Sequence, residues 1–381
     1  MIDFFLGDQV VINLKSVKKE HILQQCARIK IQDPAVLERT IHAFILLERL
    51  TLSKIDFLFK GGTALLLLLD KPARVSVDID ITCTLSKNEF EKELKEWIRH
   101  PPFTKWESDL RESDKEPPTR RHYKLYYNAQ CGGFKNPYIL LDVVEEECGI
   151  AEEHCMFKDI DCSFLLLEGE LSKVKVPVVE ALLGDKLTAF APNTTGVRFY
   201  NPRLQEDSSH QVFKQLFDIA QLFDVMDNYG VVRDTYLSVV NHEAKYKAIK
   251  NIPDAVLLDT LQTAFDICTF DLRREKLPVE YEDNIRGGIS KMTNDLINGK
   301  DFSIAEAKLA AGKAAYLATH ILRKQDRLIP FTVTKEIIAL LKNNRFKGKF
   351  GILDRLKGNI ENYYYWYTIL QMLEYPEDIL N

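Results

Sequence analysis

Residues 59–81, FKGGTALLLLLDKPARVSVDIDI, constrain this chain more than any other stretch. Gly61 and Gly62, followed by Thr63 and an apolar run, read as a strand-to-helix turn. Glycines let backbone N–H groups approach a phosphate closely, and a helix N-terminus adds positive potential there. In 75–83 the residues alternate: Val75, Val77, Ile79 and Ile81 on one face, Ser76, Asp78, Asp80 and Thr82 on the other. That period predicts a strand with a core face and a cleft face. Two carboxylates at i and i+2 share the cleft face, where they can share divalent cations. Taken alone, the pair fits a solvated face, or charge pairing with Arg74, equally well.

A second strand is predicted at 138–144, after one at 123–127 and a loop carrying Gly132 and Gly133. Ile139, Leu141 and Val143 form its core row, which leaves Asp142 in a row with Tyr138, Leu140 and Val144. A carboxylate in so apolar a row is costly unless paired or metal-bound. Three acids on adjacent strands, opposite a glycine turn, suit transfer of a phosphoryl or nucleotidyl group. They would hold two Mg2+ ions, with Asp142 as an alternative general base. The turn is expected to grip β- and γ-phosphates through the Gly62 and Thr63 N–H groups and the Thr63 hydroxyl, with Arg74 and Ser76 at the nucleotide.

Other classes are excluded or disfavoured by composition. The chain has 381 residues, 46% apolar and 28% charged, as in soluble two-domain proteins. A net charge of −5 restricts any nucleic-acid contact to a local patch. LLLLLD at 65–70 is far too short to span a bilayer, and the start, MIDFFLGDQVVINL, lacks the basic opening of a signal peptide. A cytoplasmic location is therefore expected. Seven cysteines, Cys148 among them, form no CxxC pair, and the eight histidines show no HExxH spacing. Reduced thiols and no histidine-held metal follow.

The rest of the front half reads as a helix over 36–52, a short buried helix over 63–69, and a helix from a Ser86–Glu89 capping box to about 100. A charged, proline-containing surface excursion is expected over 101–120. Beyond about 178 the pattern turns helical, with helices expected over 178–190, 211–229, 253–270, 303–324, 333–344 and 352–374. The connection 192–210, with Pro192, Gly196 and Pro202, has the length of a lid. Two domains are expected: 1–190, α/β with N-terminal helices, and 191–381, all helical.

Lys186 sits at the edge of an apolar stripe formed by Val179, Leu182, Leu183, Leu187 and Phe190. A lysine there binds a phosphate, snorkels to water, or pairs with Asp185 or another acid. Asp218, in VFKQLFDIAQLF, is either anchored structurally, with Lys214 available one turn earlier, or faces a site. KNNRFKGKF at 342–350 reads as a basic turn, or as a grip on nucleic acid with Phe346 and Phe350 stacking on bases. YYYWY at 363–367 reads as helix-packing core.

The set Gly61-Gly62, Asp78-x-Asp80 and Asp142 resembles the polymerase-β-like nucleotidyltransferase superfamily. With LLGDKLTAF and KQLFDIAQLF it resembles, more narrowly, the AbiEii/AbiGii toxin nucleotidyltransferases, which include the MenT-type toxins. The resemblance covers about 55–225. It implies a mixed sheet flanked by helices, Mg2+ dependence and a nucleoside triphosphate substrate. It makes Lys186 and Asp218 the remaining site residues, although 214–218 lacks the usual Arg-Asp pair. It also implies a toxin of a toxin–antitoxin or abortive-infection pair, an RNA acceptor such as a tRNA 3′ end, and a winged-helix antitoxin partner. A protein or small-molecule acceptor, which the acidic net charge favours, and a non-catalytic nucleotide-binding role are the alternatives.

Overall fold

The computed structural model describes residues 11–53, 55–98, 100–109, 119–132, 135–145, 149–201, 205–245, 252–273, 277–375 and 380. Gly133, Cys148 and Pro202, named above, lie outside them. The chain divides into two compact units, Met1–Val178 with Asn294–Lys300, and Val179–Thr293 with Asp301–Asn381. The boundary expected near 190 falls one helix later than this division.

The first unit is α/β. Helices α1 (Lys19–Ile29) and α2 (Pro34–Leu52) precede a five-stranded sheet. Its strands are β1 (Leu58–Lys60), β2 (Ile79–Thr82), β3 (Phe103–Ser108), β4 (Arg120–Tyr127) and β5 (Tyr138–Val144), ordered β1-β2-β5-β4-β3. Only β2 and β5 run parallel, so the sheet is mixed. The core row of β5 is as the alternation predicts: Ile139, Leu141 and Val143 are buried, and Asp142 lies in the half-buried row. The acidic strand is shorter than the alternation implies. Only Ile79–Thr82 pairs in the sheet, whereas 73–75 pairs with 295–297 through Val75 N–Asp295 O (2.8 Å) and Ile297 N–Ala73 O (3.0 Å). Asp78 therefore precedes β2 rather than lying within it.

Helix α3 (Gly61–Leu68) follows the glycine turn, and α4 (Lys87–Ile98) opens on the expected capping box, with Ser86 N–H donating to Glu89 Oε2 at 3.2 Å. The excursion expected over 101–120 instead contains β3, which pairs antiparallel with β4; its remainder, 110–118, lies outside the described residues. A hairpin of β6 (Cys155–Asp159) and β7 (Lys173–Pro177) completes this unit. No disulfide joins any of the described cysteines. Among the described residues, no helix is long and apolar enough to cross a membrane.

The second unit is mainly helical: α5 (Val179–Ala189), α6 (Ser209–Phe223), α7 (Tyr229–Ala244), α8 (Ile252–Thr269), α9 (Val279–Lys291), α10 (Ile304–Leu322), α11 (Lys335–Asn343) and α12 (Ile360–Met372). Gly184 permits the close approach of α5 and α7, since a Cβ there would lie 2.7 Å from Val232 O. The Ser303–Glu306 capping box that begins α10 is present. The connection 192–210 is not a free lid where it is described. Asp259 accepts from Asn193 N (2.8 Å) and Thr194 Oγ1 (2.9 Å), and a small hairpin joins Tyr200–Asn201 to Glu206–Asp207. Phe346 and Phe350 are buried, with Phe346 against Tyr363 (4.8 Å between centroids), so neither stacks on a base. Tyr363, Tyr365 and Trp366 are core, as the helical spacing predicts.

Candidate active site

Pairing register builds the site. Asp80 on β2 lies directly beside Asp142 on the parallel strand β5, where backbones are about 4.8 Å apart. The same row continues to Lys60 on β1, opposite Asp80, and to His122 on β4, opposite Asp142. Paired residues of neighbouring strands point to the same face. One face of the sheet thus carries the row Lys60, Asp80, Asp142, His122: two acids flanked by two bases. His122 is nearly buried, and its Nδ1 donates to Asp142 Oδ1 at 2.5 Å. That bond fixes one carboxylate oxygen of a side chain that is 27% exposed.

The glycine turn stands against this row. Gly61 has φ +78°, a conformation costly for other residues, and a Cβ there would lie 2.7 Å from Asp80 Cγ. A Cβ at Gly62 would lie 2.5 Å from Arg74 Nη2 and 3.0 Å from Ser76 Oγ. The two glycines therefore set backbone between the Asp80 carboxylate on one side and the Arg74 and Ser76 side chains on the other. Arg74 is buried and donates to its neighbour's carbonyl, Val75 O, at 3.0 Å. Thr63 is fully buried, and its hydroxyl donates to Asp78 O at 2.5 Å. That hydroxyl is thus engaged within the chain, at the approach to β2.

The Asp78 side chain is 37% exposed and faces Arg39 of α2, Nη2 to Oδ1 4.0 Å. Helix α2 is locked to the sheet by His42, which stacks on Tyr127 (3.7 Å between centroids). Burial pushes the His42 imidazole down to about 4, so it is neutral at ordinary pH. Two carboxylates abreast, a third just before them and a glycine cradle give the hard oxygen donors that Mg2+ prefers. Among the described residues, no three His, Cys, Asp or Glu side chains converge as a preformed cage. The three-acid cage expected of Asp78, Asp80 and Asp142 is thus not preformed. The donor set fits the ion, and Asp78, Asp80 and Asp142 are the residues that would hold it.

In the second unit, Lys186 (α5) and Asp218 (α6) meet each other. Nζ lies 2.8 Å from Asp218 Oδ2 and donates to Gln215 Oε1 at 2.9 Å, with side chains 4% and 1% exposed. Lys186 is thus deeper than the edge of its stripe. Neither Asp185 nor Lys214 is the partner in this ion pair; the two residues singled out separately are one buried pair. Lys60, His122 and Arg39 escaped the sequence reading. A signal existed for two: Lys60 directly precedes the glycines at a strand end, and His122 shares its strand's polar row with Lys124. Arg39 looked like an ordinary charge on a helix.

A family model described as nucleotidyl transferase AbiEii toxin, type IV toxin–antitoxin system, matches residues 45–288, well over half of the chain. No curated protein matches. Among solved structures, JHP933 from Helicobacter pylori is 14% identical, covering 75% of this chain and 93% of its own, with TM-score 0.40. The nucleotidyltransferase toxin MenT4 of Mycobacterium tuberculosis is 12% identical, covering 74% and 84%, with TM-score 0.37. An antigenic nucleotidyltransferase-like protein from Paracoccidioides brasiliensis is 14% identical, covering 54% and 88%, with TM-score 0.34. Likenesses this loose transfer no residue roles. The family match does not depend on them: the chain belongs to the AbiEii family of toxin nucleotidyltransferases.

Proposed function

We propose that this enzyme transfers a nucleotide from a nucleoside triphosphate to an RNA hydroxyl, such as a tRNA 3′ end, in a Mg2+-dependent reaction. The single observation that carries the reading is the pairing of Asp80 with Asp142 beside the Gly61 turn. The acceptor oxygen attacks the α-phosphorus, the bond from that phosphorus to the bridging oxygen breaks, and pyrophosphate leaves. Two Mg2+ ions held by Asp78, Asp80 and Asp142 would neutralise the triphosphate and lower the pKa of the attacking hydroxyl.

The chain's own residues do the rest. Backbone N–H groups at Gly62 and Thr63, with Arg74 and Ser76, hold the triphosphate oxygens. Asp78, Asp80 and Asp142 hold the cations, and Asp142 accepts the hydroxyl proton. His122 holds the Asp142 carboxylate in a fixed orientation through its Nδ1–Oδ1 hydrogen bond. The family resemblance assigns Lys186 to phosphate and Asp218 to the same machinery. Their mutual pair supports a narrower role, in which Asp218 fixes the Lys186 ammonium. A winged-helix antitoxin as partner and a cytoplasmic site of action belong to the same proposal.

The test incubates purified protein with α-labelled nucleoside triphosphates, Mg2+ and total tRNA, and measures label in RNA, protein and soluble fractions. Label in RNA that disappears in Asp80→Asn and on chelation supports the proposal. Label only in protein or small molecules refutes the RNA acceptor, and no transfer by a folded sample refutes the reaction.

A further inference from the structure

Next to Asp78 lies a pocket of about 170 Å3, lined by Arg39, Lys135, Asn136, Pro137 and Tyr138. Its volume is well below that of an ordinary small-molecule site, roughly 300 Å3 upward, and suits one tetrahedral oxyanion. Two of its five lining residues are cations. Asp78 opposes Arg39 at 4.0 Å, the outer limit of an ion pair, with both side chains partly in solvent. Arg39 Nε is shielded from solvent and makes no hydrogen bond among the described residues. A guanidinium left short of acceptors is built for a planar, two-pronged contact with an oxyanion.

The surroundings hold this pocket in shape. Glu38, the residue before Arg39, accepts from Gln130 N (2.6 Å) and Cys131 N (3.0 Å), tying the start of the loop that bears Lys135 to α2. Tyr138 begins β5 and stands in the same row as Asp142, two positions beyond Leu140. Of the pocket's lining residues, Tyr138 thus lies in the strand row that carries Asp142.

We propose that Arg39 and Lys135 form a second phosphate-binding subsite, separate from the glycine turn. It rests on the nucleotidyl-transfer reading for its biological use, but its ligand chemistry stands alone. The phosphate comes from one of two sources, the triphosphate or the backbone of the acceptor strand, and the arms of the experiment separate them.

Full-length wild type, Arg39→Gln, Lys135→Gln, the double variant and Arg39→Lys are compared, with melting temperature as the fold control. Binding of tripolyphosphate and of a fluorescent single-stranded RNA is measured without turnover, alongside KM for each substrate. The double variant is expected to weaken one ligand tenfold or more and leave the other within twofold, while Arg39→Lys recovers part of the loss. If the RNA arm responds, each lost cation also lowers the slope of log affinity against log salt by about 0.7. Unchanged affinity for both ligands in a folded double variant overturns the subsite. So does a wild type that binds neither ligand. If phosphate ligands bind as stated but no label is transferred, the subsite stands and the transferase reading falls.

Discussion

Replacing Gly61 with alanine separates backbone strain from what the site requires. With φ at +78°, a side chain there costs about 1–2 kcal/mol in the left-handed region. The added Cβ would also meet Asp80 Cγ at 2.7 Å, against the ~3.5–4.0 Å of ordinary carbon contact. Because the Cβ overlaps Asp80 Oδ2 more closely still, the carboxylate must retreat by at least about 1 Å, at roughly 0.5–1.5 kcal/mol if it leaves its rotamer. Gly169 is the control, because its φ of +90° carries the same strain while an added Cβ there meets nothing within 4 Å. Urea unfolding is expected to show Gly169→Ala losing about 1–2 kcal/mol and Gly61→Ala about 1.5–3.5 kcal/mol. Transfer assays at saturating triphosphate should leave Gly169→Ala near wild type and slow Gly61→Ala about 100-fold, the usual result of a 1 Å misplacement. If Gly61→Ala works within threefold of Gly169→Ala, the turn is not there to admit Asp80, and the catalytic argument fails.

The His122 contact to Asp142 leads us to expect kcat to fall about 10- to 100-fold in His122→Gln with little change in melting temperature; an unaltered kcat would leave His122 without a positioning role. Lys186→Met and Asp218→Asn should each cost about 3–5 kcal/mol in urea unfolding, since either strands a buried partner, and Lys186→Met/Asp218→Leu should cost less than the sum. Strict additivity would show that the pair is not energetically coupled. Burial raises the Asp266 carboxyl to about 6 despite Arg273 at 2.6 Å. Between the unfolded value near 4 and that folded value the native state holds more protons, so stability falls as pH rises through this window, by up to about 3 kcal/mol. Asp266→Asn should remove that slope from unfolding measured between pH 4 and 6.5, and an identical slope in the variant would contradict the burial argument.

What was legible in the sequence was local. The Gly61-Gly62 turn, the alternation around Asp142, the capping boxes at Ser86 and Ser303 and the buried stripe of α5 all express preferences within a few residues. Periods of two and 3.6 residues record which side of an element meets the core, so these could be read without knowing the partner. The tertiary structure decided what stands beside what. Alternation put Asp80 on a polar face and Asp142 off its strand's core row, but only the parallel pairing of β2 with β5 set them abreast, because register is a property of two strands and not of either. The same pairing brought in Lys60 and His122, and helix packing joined Lys186 to Asp218. β3 was hidden in a charged segment because an edge strand has few buried positions to mark it. Arg39 shows the limit most plainly: nothing near it in the chain separates it from a solvated helix charge, and its meaning comes from Asp78 and Lys135, which only folding brings near.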